Sequence, residues 1–344
     1  MAGQNTLQPR KPVKAIVTGG GGFIGGAIVE TLVDRGDSVC SFSRNYHPRL
    51  ASMGVDQYQG DIIDPVAVEK ACKDQDVVFH VAGKPGIWGR YRDYYNTNVV
   101  GTQNVVAACQ KYQLRALVYT SSPSVIFNGR DMEGVDESMP YPQKYHTHYH
   151  KTKALAEQFV IRSAGADFRA IILRPHLVWG PKDINFVPRI ISRAKRLVRV
   201  GNGKNLVDTV YIDNVADAHV LAADKLMIDP KLSGKIYFIS QDEPIYLWDM
   251  INAILKAAGK HSVKRSVPHR LAWLIGGVLE IIYKRLYLKA EPQMTRHLAD
   301  ELATAHWFDI SAAKTELGYV PRVSTAEGLR RLEDWLRKQY LAGG

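Results

Sequence analysis

A run of glycines between an apolar strand and an amphipathic helix constrains this chain more than any other feature. Residues 13–18, Val-Lys-Ala-Ile-Val-Thr, have the composition of a short buried strand. Gly19, Gly20, Gly21, Gly22, Phe23, Ile24 and Gly25 follow. Residues 26–35 then place apolar side chains at helical spacing, and Gly36 closes the segment. Glycines let the backbone approach a pyrophosphate, and a helix N-terminus offers free N–H groups and a positive dipole end. The spacing of Gly19, Gly22 and Gly25 is a dinucleotide fingerprint lengthened by one residue at its start. Short apolar strands and amphipathic helices keep alternating as far as Pro175. The fold class expected is therefore α/β, a doubly wound parallel sheet.

The end of the second strand discriminates between dinucleotides. Ser38 to Ser43 is the next apolar run. A site for the unphosphorylated cofactor places Asp or Glu roughly 20 residues past the glycines, on the ribose 2′-hydroxyl. Here Ser43 stands at that point, followed by Arg44. Serine removes the repulsion a carboxylate would exert on a 2′-phosphate, and the Arg44 guanidinium can pair with it. Arg49 is a second candidate. NADPH is expected over NADH.

Tyr149 and Lys153 supply the chemistry. Four residues apart on a helix, they share one face. An unperturbed phenol titrates near pH ~10. A neighbouring ammonium favours the phenolate and is expected to lower that value. Leu114 to Ser122 reads as a buried parallel strand ending in hydroxyls, and in an open α/β sheet ligands sit beyond the carboxyl ends of strands. Ser122 can hydrogen-bond a substrate carbonyl while Tyr149 gives it a proton as hydride arrives from a nicotinamide. Ser121 competes for the serine role.

Further motifs accompany these: Gly60-Asp-Ile62, His80-Val-Ala-Gly83, Asn98-Val-Val-Gly-Thr102, Tyr119-Thr-Ser-Ser122 and Leu173-Arg-Pro-His-Leu-Val-Trp-Gly-Pro181. With them the chain resembles the extended short-chain dehydrogenase/reductases along most of its length. Within that family it is most similar to the 3β-hydroxysteroid dehydrogenase group. That group includes sterol-4-carboxylate 3-dehydrogenases and the bacterial 2-alkyl-3-oxoalkanoate reductases of long-chain olefin biosynthesis. Lys84-Pro-Gly-Ile-Trp-Gly89 and Ser122-Pro-Ser124 point to the reductases. The resemblance implies cofactor contacts at Gly19, Gly22, Phe23, Ile24 and Gly25. It places Asp61 and Ile62 beside the adenine, Ala82 and Gly83 along the cofactor, and Pro175 near the nicotinamide. Asn98 shapes the site, Lys153 holds the ribose hydroxyls, and Ser122 is preferred to Ser121. The activity implied is NADPH-dependent reduction of a 2-alkyl-3-oxoalkanoate, a long-chain hydrophobic carboxylate. The alternatives are a decarboxylating sterol-4-carboxylate 3-dehydrogenase and a non-catalytic nucleotide sensor. Enzymes of the same pathway, and a homodimer through the long helices after strands four and five, are the implied protein partners.

The 344 residues suffice for one compound domain or two lobes. We read a cofactor domain over residues 13–180, rejoined by 206–240, and a substrate lobe over 181–205 and 241–340. Helices are expected over Asn98 to Gln113 and Asn185 to Leu197, and a returning strand over Lys235 to Ile239. The formal net charge is +11, but no nucleic-acid motif accompanies it, and no nucleic-acid partner is expected. The densest cluster, Arg189, Arg193, Lys195, Arg196, Arg199 and Lys204, suits attraction of an anionic substrate. Cys40, Cys72 and Cys109 form neither a zinc motif nor a disulfide framework. Residues 1–12 lack a signal-peptide core, so a cytoplasmic protein is expected. His146, His148 and His150 alternate around Tyr149, but neighbours two apart diverge on a helix, and no metal ligand set is read. Leu271 to Tyr283 is the most apolar stretch, followed by Lys284, Arg285 and Lys289. It is shorter than the ~20 residues that span a bilayer. It reads as a buried lobe helix, as the wall of a hydrophobic tunnel, or as a helix resting on a membrane surface.

Overall fold

The computed structural model describes residues 11–288 and 290–342; Lys289, residues 1–10 and residues 343–344 lie outside the described residues. Seven parallel strands form the central sheet: β1 (Lys14–Thr18), β2 (Ser38–Ser43), β3 (Asp56–Gln59), β4 (Val77–His80), β5 (Ala116–Thr120), β6 (Ala170–Pro175) and β7 (Ile236–Ile239). Their order is β7-β6-β5-β4-β1-β2-β3. Strand order reverses between β1 and β4, and that switch point opens a crevice at the carboxyl edge.

Apart from the edge strand β3, which is largely exposed, the strands are buried on both faces, so their side chains divide by alternation. Ala15, Val17, Val77, Phe79, Ala116, Val118, Ile171 and Leu173 enter one core. Ile16, Val78, Leu117, Tyr119, Ala170 and Ile172 enter the other. The first core is closed by α1 (Phe23–Asp34), through Ile28, Val29 and Leu32, and by α5 (Ile212–Ile228), through Val215, Ala218 and Ala222. The second is closed by α2 (Pro65–Cys72), α3 (Gly101–Lys111) and α4 (His148–Ser163).

Two boundaries differ from the sequence expectation. The helix expected from Asn98 begins as a wide turn with i→i+5 bonding over Asn96–Val100 before α3. Such turns often mark functional sites. The helix expected to reach Leu197 stops at Arg193, because the Arg193 carbonyl accepts from Arg196 and Leu197 and turns the chain.

The lobe has its own core, with Val187, Ile190, Trp248, Ile251, Leu255 and Leu332. A second, four-stranded sheet joins Ile245–Tyr246, Leu206–Val207, His306–Phe308 and Met132–Val135. Met132–Val135 belongs to the chain between β5 and α4, so this sheet crosses from one body to the other. The lobe helices include α6 (Leu247–Ala257), α7 (His269–Arg285), α8 (Arg296–Ala303) and α9 (Thr325–Ala342).

Helix α7 corrects the expectation of a buried lobe helix. Only Ala272, Gly276 and Glu280, one i, i+4 row, are buried, against α8. A Cβ on Gly276 would lie 2.5 Å from the Thr295 carbonyl carbon, so the close approach needs glycine. Leu274, Val278, Ile281 and Leu286 are more than half exposed. Among the described residues no helix is long and apolar enough to cross a membrane.

Candidate active site

The glycine turn is held by backbone contacts that exclude side chains. Gly19 has φ +72°, and its N–H donates to the Phe42 carbonyl at 2.8 Å. Gly22 donates to the Gly19 carbonyl at 2.9 Å and starts α1 without a side-chain cap. A Cβ on Gly25 would lie 2.2 Å from the Gly19 oxygen, and one on Gly19 would lie 3.2 Å from the Ala82 backbone. The first N–H groups of α1 therefore stay available to an anion. A cavity of about 390 Å³ opens here, lined by Gly21, Gly22, Phe23 and Ala27 among others. This cradle fits the pyrophosphate of a dinucleotide. Tyr149 and Ser122 lie outside that cavity, at the ends of α4 and β5.

Thr147 caps α4, accepting from the His150 N–H at 3.2 Å, and so puts Tyr149 in the first helical turn. The Ser122 hydroxyl lies near the Tyr149 phenol and draws its pKa down. It also accepts from the Ser124 N–H at 3.3 Å. Ser121 is buried, and its hydroxyl has no partner among the described residues. The structure thus brings Ser122, not Ser121, to the tyrosine. Burial pushes the Tyr149 phenol above its ordinary value, Ser122 draws it back and Glu301 adds to the rise. This corrects the expectation that Lys153 acidifies the phenol. The Lys153 ammonium turns to other oxygens, donating to Tyr119 Oη at 2.8 Å and to the Thr120 carbonyl at 2.6 Å. Burial lowers Lys153 itself to about 7, against the attraction of Glu157.

Asn98 ties cofactor turn to catalytic helix. Its Oδ1 accepts from the Lys84 N–H at 2.7 Å, and its Nδ2 donates to Thr152 Oγ1 at 3.0 Å. Thr152 Oγ1 in turn donates to the His148 carbonyl at 2.8 Å. At the switch point Thr18 Oγ1 lies 2.8 Å from His80 Nδ1 and accepts from the N–H groups of Val81 and Ala82 at 3.2 Å. Burial, with Lys153 nearby, lowers His80 to about 3 and keeps it neutral. Gly83, beside Asn98, is exposed along this edge.

The remaining candidates occupy the rim. Asp61 is exposed, and its carboxylate accepts from the Ile63 N–H at 3.2 Å. Ile62 is buried, with its carbonyl held by Asn104 Nδ2 at 3.0 Å. Pro175 is buried at the last position of β6. Arg44 is exposed, and no ion pair engages it among the described residues. Arg49 is committed to Glu30, which also takes Lys182. Of the two arginines, Arg49 has an ion-pair partner and Arg44 has none among the described residues. In the basic cluster Arg189 pairs with Glu291, while burial and Arg189 lower the half-buried Arg193.

Three features escaped the sequence reading. Glu157 and Arg174 form a bidentate ion pair, at 2.5 and 3.0 Å, fully inside the protein between α4 and β6. The four-residue spacing from Lys153 to Glu157 was the available signal. Trp88 packs edge-on to Tyr283 at 6.3 Å and donates to the Leu288 carbonyl at 3.4 Å, so the loop after β4 meets the end of α7. His150 is brought to His297 and Glu301, rather than to His146 and His148 as a set. The four-residue spacing of His297 and Glu301 was the signal there.

Known proteins share this fold and much of this sequence. A model of the 3-beta hydroxysteroid dehydrogenase/isomerase family matches residues 16–269. Over 325 residues the chain is 44% identical to a 2-alkyl-3-oxoalkanoate reductase of Stenotrophomonas maltophilia (strain K279a), covering 93% of this chain and 98% of the relative. It is 32% identical to a decarboxylating sterol-4-alpha-carboxylate 3-dehydrogenase of Mus musculus, covering 93% and 90%. The fold matches that of the Bacillus cereus UDP-glucuronic acid 4-epimerase solved with NAD, with TM-score 0.74, 24% identity, and coverage of 95% and 100%.

Proposed function

The chain belongs to the 3-beta hydroxysteroid dehydrogenase/isomerase family, and from that premise we propose that it reduces a 2-alkyl-3-oxoalkanoate to the 2-alkyl-3-hydroxyalkanoate with NADPH. The observation that carries the reading is that Ser122, just past β5, and Tyr149, in the first turn of α4, come close together at the carboxyl edge of the sheet that also bears the glycine cradle. A nicotinamide cofactor bound at the glycine cradle would supply hydride to the ketone carbon. Ser122 orients the ketone oxygen, and the Tyr149 phenol protonates it. A phenol held above its ordinary value stays protonated at neutral pH, which suits reduction. Asn98 fixes the helix turn that carries this phenol. The exposed Arg44 and the neutral Ser43 support the phosphorylated cofactor. We take Arg193, half-buried beside Arg189 and Glu291, as the candidate for the substrate carboxylate.

Initial rates with a 2-alkyl-3-oxoalkanoate and a sterol 4-carboxylate, each with phosphorylated and unphosphorylated cofactor, test this directly. Ketone reduction with NADPH should dominate. Arg44→Ala should raise the KM for NADPH by about tenfold and leave that for NADH unchanged, the loss of one charge-assisted pair. Faster oxidation of the sterol acid with NAD⁺ overturns the substrate assignment. Arg193→Ala should raise KM for the keto acid with little change in kcat; an unchanged KM removes Arg193 from the account.

We also assign the exposed face of α7 to an anionic membrane surface. Leu274, Val278 and Ile281 are apolar and exposed, with Arg270, Lys284 and Arg285 beside them, the pattern of an interfacial helix. The end of this helix reaches Trp88 at the cleft, a short path for an oily substrate. The protein should co-sediment with vesicles containing anionic lipid, and Leu274→Asp with Ile281→Asp should weaken that by about tenfold or more. Wild-type protein that stays in the supernatant sinks the assignment.

A further inference from the structure

We propose that His150, His297 and Glu301 bind one divalent transition-metal ion of the zinc class and thereby clip the catalytic helix to the substrate lobe. His297 and Glu301 stand four apart on α8 and so share a face. His150 comes from the first turn of α4, on the other body. One ligand atom from each lies within 4.8 Å of the others. His297 Nε2 and Glu301 Oε1 are 3.3 Å apart, close to the roughly 3.4 Å between donors in a tetrahedron with zinc–nitrogen bonds of about 2.0–2.1 Å.

The side chains ask for such a partner. His150 and His297 are almost wholly buried, at 1% and 4% exposure. Yet His150 Nδ1 and His297 Nδ1 lack a hydrogen-bond partner among the described residues, while His297 Nε2 faces the Glu301 carboxylate. Buried polar atoms are rarely left so, and each one needs a reason. For the two Nδ1 atoms, neighbouring groups do not supply it. His306 Nε2 is taken by Thr304 Oγ1 at 2.7 Å, and His269 by Asp300 at 2.8 Å. Phe127 walls the cluster, with ring centroids 6.2 Å from His150 and 5.8 Å from His297. Glu301 remains 40% exposed and gives an ion a way in. Two imidazoles and a carboxylate, with a fourth position left for water, are a donor set that zinc favours. Because the ligands come from both bodies, binding favours the folded chain over the unfolded one.

The test uses tag-free full-length protein stripped with chelator. Zn²⁺ is titrated by calorimetry, and Co²⁺ by its visible absorption. The expected result is one ion per chain, a tetrahedral Co²⁺ spectrum and a Tm raised by about 5 °C at 100-fold excess over Kd. His297→Ala and the near-isosteric Glu301→Gln should each weaken binding by about 100-fold or more, with circular dichroism unchanged for Glu301→Gln. No stoichiometric binding, or binding that survives Glu301→Gln undiminished, overturns the proposal. Because the readouts are binding, spectrum and melting, they stand apart from the reductase reading.

Discussion

Tyr149→Phe should lower kcat for ketone reduction by about 10²–10⁴-fold, the span of a lost general acid. The phenol is half-buried, with Ser122 close beside it. The ring of phenylalanine fills the same space, so cofactor affinity and KM should change little. A fall in kcat with KM preserved is the signature of an interaction made in the transition state. Ser122 alone cannot replace the proton, because its hydroxyl is a far weaker acid than a phenol. Steady-state kinetics beside a cofactor titration decide the matter. Retention of more than a tenth of the wild-type kcat would remove Tyr149 from the mechanism.

Glu157→Ala should cost about 3–5 kcal/mol of stability, the penalty for leaving a buried ion without its partner. Arg174 and Glu157 have 1% and 0% side-chain exposure. Without the carboxylate, the guanidinium stays enclosed between Tyr141 and Phe238, whose ring centroids are 5.8 and 5.3 Å away. Tyr141 also loses the acceptor it meets at 2.6 Å. Such a loss is a large part of the ~5–15 kcal/mol that holds a domain together. Replacing both partners, as in Glu157→Leu with Arg174→Met, should recover much of it, because no charge is then left uncompensated. Denaturant unfolding of the single and double variants gives the comparison. A single variant within about 1 kcal/mol of wild type contradicts the account. The change should also reach the chemistry, since Glu157 supports the charge on Lys153.

The central sheet was legible because alternation and punctuation act locally. Strands β1, β4 and β5 are short, mainly apolar runs soon followed by Gly, Ala or Ser, and Gly19 and Gly25 lie where only glycine fits. Tyr149 and Lys153 were readable for the same reason, as one helical spacing. What stayed hidden depends on partners distant in sequence. The direction of Lys153 is set by Tyr119 and Thr120 on β5. Its proximity to Tyr149 along the helix could not predict that choice, nor that desolvation would govern the phenol. Helix α7 carries enough apolar residues for a core position. The face it buries is set by Gly276, which α8 approaches closely, and hydropathy is blind to that. Likewise His150 met His297 across nearly half the chain, whereas its near neighbours diverged.

The second sheet has a mechanical consequence. Met132–Val135 leaves the cofactor half, pairs with His306–Phe308 and is thereby laced into the other half. Rotation of the halves about a hinge would shear this ladder and the neighbouring pairing of Val207 with His306. Admission of a long alkyl chain then falls to the perimeter, where the Trp88 indole spans to the Leu288 carbonyl. Parting that one bond asks far less of the protein than unzipping a strand.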